Sequence, residues 1–293
     1  MASLRAARAL KPLSLALLVS QAAIVVTGGA VRLTGSGLGC PTWPECTPGS
    51  YFPVENQVEG TFHSWIEFGN RLLTFVLVIF ALATLIAVLR SGRKDLRILA
   101  AGQFLGIFGQ GVLGGITVLT DLNPLTVASH FLLSIVLIAG ATSLHSRRKG
   151  PAAKTGASGV ISNYSKIHVT WTALVIVLGT IVTAAGPHAG DSDVPRLDVA
   201  MQDVARMHSI SVILLMLLTI AFYRRSELIA LTKHRIGIFF LISLAQGALG
   251  YIQYFLGVPE LLVGLHILGT TLVWIGAWRI WLSVQFRAKE MAL

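Results

Sequence analysis

Eight apolar stretches, nearly free of charge, decide what this chain can fold into. A helix needs about 20 such residues to cross the hydrocarbon core of a bilayer. The stretches read as 13–33, 66–89, 97–119, 125–144, 166–186, 205–223, 236–256 and 261–283. No β-barrel alternation is visible, so the spans are helices, whose backbone groups satisfy one another inside lipid. Charged residues are only 12% of the chain, against about 25% in soluble domains, so most of the surface faces something other than water. The first span runs on through Val25, Val26 and Thr27 without a cleavage site, and further helical segments follow at once. It is expected to be a transmembrane helix, not a signal peptide. The expected fold is an all-α integral membrane protein.

A net charge of +10 invites a nucleic-acid reading, but the distribution of charge excludes it. The N-terminus, the segments after the second, fourth and sixth spans, and the C-terminus hold 19 of the 23 basic residues, among them Lys154, Arg287 and Lys289. Arg32, Arg71, Arg196 and Arg206 remain for the other side, together with 10 of the 13 acidic residues. This positive-inside pattern places both termini in the cytoplasm of a multi-pass protein. Cys40 and Cys46 then fall in the first outer loop, within CPTWPEC, where an oxidising compartment permits a disulfide.

The chain also repeats itself. QGVLGGI at 110–116 returns as QGALGYI at 246–252, an offset of 136, and His130 and His266 are separated by the same 136. A proline precedes each histidine, by six residues in one case and seven in the other, and IAGA at 138–141 answers IGA at 275–277. TGG at 27–29 and TAAG at 183–186 end similar apolar runs. Ordered matches of this kind indicate tandem duplication of a four-helix unit. The two units are 1–150 and 151–293. An even number of spans gives them one orientation and a pseudo-two-fold axis along the membrane normal.

The eight histidines divide by depth. His145, His168 and His234 are expected at cytoplasmic helix ends, snorkelling or solvated, and His63 and His188 at the outer edge. His130, His208 and His266 lie inside apolar helices near the outer ends of spans four, six and eight. One such histidine is as well explained by an interhelical hydrogen bond as by a ligand role. Three at matched depth favour function. His208 and His266 stand on two helices of the same direction in the second half, an arrangement that builds a bis-histidine haem site. Zinc is the weaker reading, because no third or fourth ligand stands at that level.

In the first half the register of His208 falls on Asn70, with Glu67 one turn away. A carboxylate inside a membrane helix is either half of an ion pair with Arg71 or Arg32, or a general base beside a reactive group. Arg71 and Arg206 could hold haem propionates in bidentate fashion, with Arg32 and Arg196 similarly placed but less well supported. Gly28, Gly29, Gly106, Gly111, Gly114 and Gly115 cluster on spans one and three, suiting close packing or a flat macrocycle equally.

With these residues in view, the chain resembles the haem A synthase family over nearly its whole length. The resemblance rests on GGAVRLTGSGLGCPTWPEC (28–46), WIEFGNRLL (65–73), the segment through His130, RMH (206–208) and GLHILGTT (264–271). It implies oxidation of the methyl group at ring position 8 of haem O to a formyl group, with water as the oxygen source, giving haem A for terminal oxidases. It further implies a haem b held by His208 and His266, with substrate haem in the N-terminal half on His130 and Glu67 as the catalytic carboxylate. Asn70 stands where many members carry histidine, with His63, two turns away, a weak substitute. Cys40 and Cys46 resemble the loop pair of bacterial members, whose role is redox or structural. Expected partners are haem O synthase, terminal-oxidase assembly factors and membrane lipid in a bacterial plasma membrane; a homo-oligomer is compatible, and nucleic acid is not expected. Two other classes stay open. A haem b electron-transfer cytochrome explains His208 and His266 but gives Glu67 no task. A transporter explains the duplication but not the histidines.

Overall fold

The computed structural model describes residues 2–55, 57–150, 157–225 and 227–286; Lys154, Arg287 and Lys289 lie outside the described residues. The described residues form eight α-helices and no strand: α1 (Ala2–Leu33), α2 (Thr61–Arg90), α3 (Arg97–Leu119), α4 (Pro124–Ser146), α5 (Gly159–Ala185), α6 (Met201–Tyr223), α7 (Ala230–Phe255) and α8 (Glu260–Gln285). All eight are long and apolar enough to cross a membrane. Large apolar side chains such as Phe75, Ile79, Leu105 and Leu241 point outward, as lipid-facing positions should.

Several helices extend beyond the apolar runs. Hydropathy registers only the lipid-immersed middle, whereas backbone hydrogen bonding continues into the interface. Thus α1 runs back through Pro12 past Lys11, Arg8 and Arg5. The helix α5 starts at Gly159, where Ser158 caps it by accepting from the Ile161 amide. That early start overturns one expectation. His168 lies well inside α5, is fully buried, bonds Thr219 Oγ1 through Nε2 at 3.1 Å, and packs on Phe239. It is a core histidine, not a solvated one. His145 is half-buried, with Nδ1 3.0 Å from Ser14 Oγ, and His234 is exposed.

The helices α1 to α4 form a ring, α1 touching α2 and α4 while α3 touches α2 and α4. The helices α5 to α8 form another in the same order. The rings meet chiefly where α8 packs on α4 and α1. Two indoles of α8 stitch that seam: Trp274 Nε1 donates to the Ile135 carbonyl at 2.7 Å and Trp278 Nε1 to Ser143 Oγ at 2.7 Å.

The turns that lead into α4 and α8 share an unusual backbone. Asp121 and Leu122 have φ of 50° and 55°, and Gly257 and Val258 have φ of 78° and 64°. In the first turn the Leu122 amide donates to Thr117 O at 2.9 Å; in the second the Val258 amide donates to Gln253 O at 2.7 Å. All of these positions are related by the offset of 136. The next helix then begins with Asn123 as cap and Pro124 in its first turn, or directly after Pro259. Proline suits a first turn because its missing N–H has no helical partner there. His130 and His266 are each the seventh residue of the helix so started.

Candidate functional site

The end of the bundle that carries the cysteine loop gathers the polar residues singled out above. Three imidazoles there share one local arrangement, a ring edge laid against a glycine of the neighbouring helix. A Cβ on Gly114 of α3 would lie 3.2 Å from His130 Cε1. One on Gly179 of α5 would lie 3.1 Å from His208 Cε1, and one on Gly250 of α7 would lie 3.4 Å from His266 Cε1. The fourth position of the set holds no histidine, and there Gly28 of α1 faces the Asn70 amide nitrogen at 3.8 Å. Gly28 therefore corresponds to Gly179 by its neighbour, so the TAAG segment at 183–186 is not the structural counterpart of TGG at 27–29. Gly179 and Gly250 were not singled out in the sequence, although Gly250 stands 136 residues after Gly114.

The hydrogen bond of His208 suits a ligand role. His208 Nδ1 lies 3.0 Å from the Val175 carbonyl, which only accepts, so Nδ1 carries the proton and Nε2 keeps its lone pair. A carbonyl partner of this kind is what orients a metal-binding imidazole. His266 Nδ1 and His130 Nδ1 are buried without a hydrogen-bond partner. His208 and His266 are close enough for charge on one ring to be felt at the other. Among the described residues no three His, Cys, Asp or Glu side chains are grouped so as to hold a metal ion by themselves. Haem asks for less than that, because the porphyrin itself supplies four ligands to iron. A pair of imidazoles with open nitrogens, bordered by glycines that a Cβ would crowd, fits that group.

The first half adds a clamped loop. Glu67 is only 6% exposed. Its Oε1 accepts from Arg71 Nη2 at 2.6 Å and Nε at 3.0 Å, and its Oε2 accepts from the Cys40 amide at 2.6 Å. Arg71 Nη1 donates to the carbonyls of Thr42 and Glu45, and Nη2 to that of Cys40. All five guanidinium hydrogens are thereby engaged, leaving Arg71 no free donor for a propionate. Cys40 and Cys46 are buried and joined as a disulfide. The clamped loop lays Trp43 on Gly115, next to the glycine that borders His130. Asn70 Oδ1 accepts from Thr27 Oγ1 at 2.8 Å, and Gln110 Nε2 donates to the His130 carbonyl and to Ser134 Oγ. His63 bonds Ser36 Oγ through Nδ1 at 2.9 Å, a local role at the loop.

The remaining arginines behave differently from one another. Arg32 leaves α1 and crosses to the second half, where Nε donates to the His188 carbonyl and Nη2 to the Thr183 carbonyl at 2.7 Å. Arg196 lies within electrostatic range of it, and Arg196 Nη1 is buried without a partner. No ion pair among the described residues includes either arginine. Arg206 is exposed and sits 3.6 Å from Asp203. Across the same surface Gly37 N donates to the Gly190 carbonyl, and His188 Nε2 to the Val258 carbonyl at 2.7 Å.

Comparison with known proteins bears on this site. The chain is 31% identical over 110 residues to a protein named "Heme A synthase" from Geobacillus kaustophilus, covering 36% of this chain and 32% of that one. A second "Heme A synthase", from Exiguobacterium sibiricum, is 29% identical over 169 residues, 56% of this chain and 55% of its own length. A third, from Lysinibacillus sphaericus, is 35% identical over 121 residues, 40% and 37% of the two chains. The matched stretches thus span from about a third to just over half of these relatives' length. A family model described as "Cytochrome oxidase assembly protein" matches residues 12–191, which takes in α1 to α5, the disulfide loop, Glu67, Asn70 and His130. On that match, an eight-helix membrane protein with this loop and these histidines belongs to the cytochrome oxidase assembly protein family, COX15-CtaA.

Proposed function

We propose that this chain is a haem A synthase, an oxidoreductase that converts the position-8 methyl group of haem O into the formyl group of haem A. The observation that carries this reading is the glycine-bordered imidazole, found once in the first half and twice in the second. The halves 1–150 and 151–293 then take different tasks, one holding substrate and the other a resident haem b. In the second half His208 and His266 are the iron ligands, and Val175 fixes the tautomer of His208. A haem b on two imidazoles supplies one-electron storage and transfer. Arg32 and Arg196 bring positive charge without a carboxylate partner, which suits propionates; Arg206 lies exposed beyond them.

In the first half His130 would hold haem O, and Asn70, tethered to Thr27, stands where the second half carries His208. Conversion of a methyl group and one water into a formyl group releases four protons and four electrons, so turnover would require an external one- or two-electron acceptor that takes the electrons up, with haem b as the relay. Glu67 would be the carboxylate that accepts a proton, a reading supported by its burial beside Arg71 and the Cys40 amide. The same contacts make it the anchor of the loop that carries Trp43. Orientation follows the charge distribution, with the disulfide end outside a bacterial plasma membrane and both termini in the cytoplasm. Haem O synthase would be the source of substrate and the assembly of terminal oxidases its destination.

The test is chromatography of extracted haem from protein co-expressed with a haem O source. Haem b together with haem O or haem A is the expected result. Haem b alone would return the electron-transfer cytochrome, which leaves His130 and the clamped loop without a task. Absence of haem would overturn the reading. Glu67→Gln, which keeps a side chain able to accept from Cys40, is expected to abolish conversion while haem b stays bound. Full conversion by that variant would limit Glu67 to holding the loop.

A further inference from the structure

The opposite end of the bundle collects buried cations. Arg235, in the second turn of α7, is only 6% exposed. Its Nη1 donates to the Arg279 carbonyl of α8 at 2.9 Å, while Nε and Nη2 are buried without a hydrogen-bond partner. The charge of Arg279 reaches Arg235. Arg279, Arg148 and Lys11 in turn all act on His145 of α4. These groups come from α1, α4, α7, α8 and the segment after α4, so the concentration of charge is made by the tertiary fold and not by one helix. No ion pair among the described residues includes Arg235 or Arg279.

A buried guanidinium next to a like charge is unfavourable unless an anion compensates it. The unpartnered atoms also have a direction. Nε–H and Nη2–H form the side edge of the guanidinium, the two-pronged face that pairs with two oxygens of one phosphate. The site stands at the ends of membrane-spanning helices, where phospholipid headgroups lie, and basic pockets between such helices bind anionic headgroups.

We propose that Arg235 and Arg279 form a phosphate-binding site at the basic end of the bundle, with an anionic phospholipid headgroup as its ligand and inorganic phosphate sharing the same chemistry. It does not depend on the haem reading. The experiment uses the full chain, purified in detergent and reconstituted into nanodiscs of phosphatidylcholine with or without phosphatidylglycerol. Native mass spectrometry reads retained lipid, and thermal unfolding reads stability. The wild-type protein is expected to retain phosphatidylglycerol selectively and to unfold at higher temperature when it is present. Arg235→Gln should weaken that retention about tenfold or more, the range for losing hydrogen bonds to a charged group. Arg97→Gln, at an exposed arginine of the same end, should leave it unchanged. A titration with inorganic phosphate separates the sources: stabilisation by phosphate but not by phosphatidylglycerol would make the free anion the ligand. If Arg235→Gln fails to fold, Arg279→Gln and Arg235→Lys, which keeps the charge and loses the fork, take its place with the same expected weakening. No selectivity for either phosphate source in the wild-type protein would overturn the proposal. Undiminished retention in the variants would do the same.

Discussion

At the scale of single residues, Glu67 and Arg71 show how a membrane interior turns a charge into a fastener. Neither oxygen of Glu67 is idle, and every hydrogen of Arg71 goes to Glu67 or to a carbonyl of the disulfide loop. Removing one member of a buried ion pair leaves the other uncompensated. Arg71→Leu should therefore cost about 3 kcal/mol of stability, and the double change Glu67→Leu with Arg71→Leu should cost less than the two single changes added. Thermal unfolding of the four proteins checks this, and strict additivity would sink it. His130→Ala is expected to lose haem O while keeping haem b, and His208→Ala the reverse, read from extracted haem. Glu67 and the three deep histidines stand out in the sequence because a charge or imidazole among apolar residues is conspicuous by itself. The sequence leaves open whether Glu67 pairs with Arg71 or Arg32, which the fold decides by bringing Arg71 to it. The glycine seats were not, since a glycine announces its purpose only when the ring that borders it is known.

Among the elements, the helices were legible in number and order but short at their ends, for the apolar run marks lipid depth and not hydrogen bonding. The cost of that difference fell on His168, which hydropathy put at a helix end and the early start of α5 put in the core. The left-handed turns before α4 and α8 were not legible, because Leu122 and Val258 are residues that seldom take positive φ. Val258 is β-branched and therefore strained there. Replacing it with glycine should raise stability by about 1 kcal/mol, seen as a higher Tm. An unchanged or lower Tm would mean that the side chain contributes more than the backbone strain takes away.

For the molecule as a whole, two stitched surfaces hold the rings together, the indole seam between α4 and α8 and the loop contacts in which Arg32 reaches the His188 and Thr183 carbonyls and Gly37 that of Gly190. Trp274→Phe and Trp278→Phe each remove one seam hydrogen bond and should each cost about 1 kcal/mol. Unfolding of the double variant as one cooperative transition is expected if the rings act as a unit. The repeat was visible in the sequence where QGVLGGI and QGALGYI, and His130 and His266, keep the offset of 136, whereas contacts between the loops have no sequence signature. The shared turns carry one more consequence. They start α4 and α8 at the same end and put His130 and His266 seven residues in, while the seam holds the two helices side by side. Iron on these two imidazoles would sit at nearly the same depth. An electron passing between them would move along the plane of the bilayer, not through its thickness. Voltage does work only on charge that crosses the membrane, about 2.3 kcal/mol per charge for a full crossing at 100 mV. Exchange between the two halves would thus be electrically silent, running at one rate in an energised membrane and in a collapsed one.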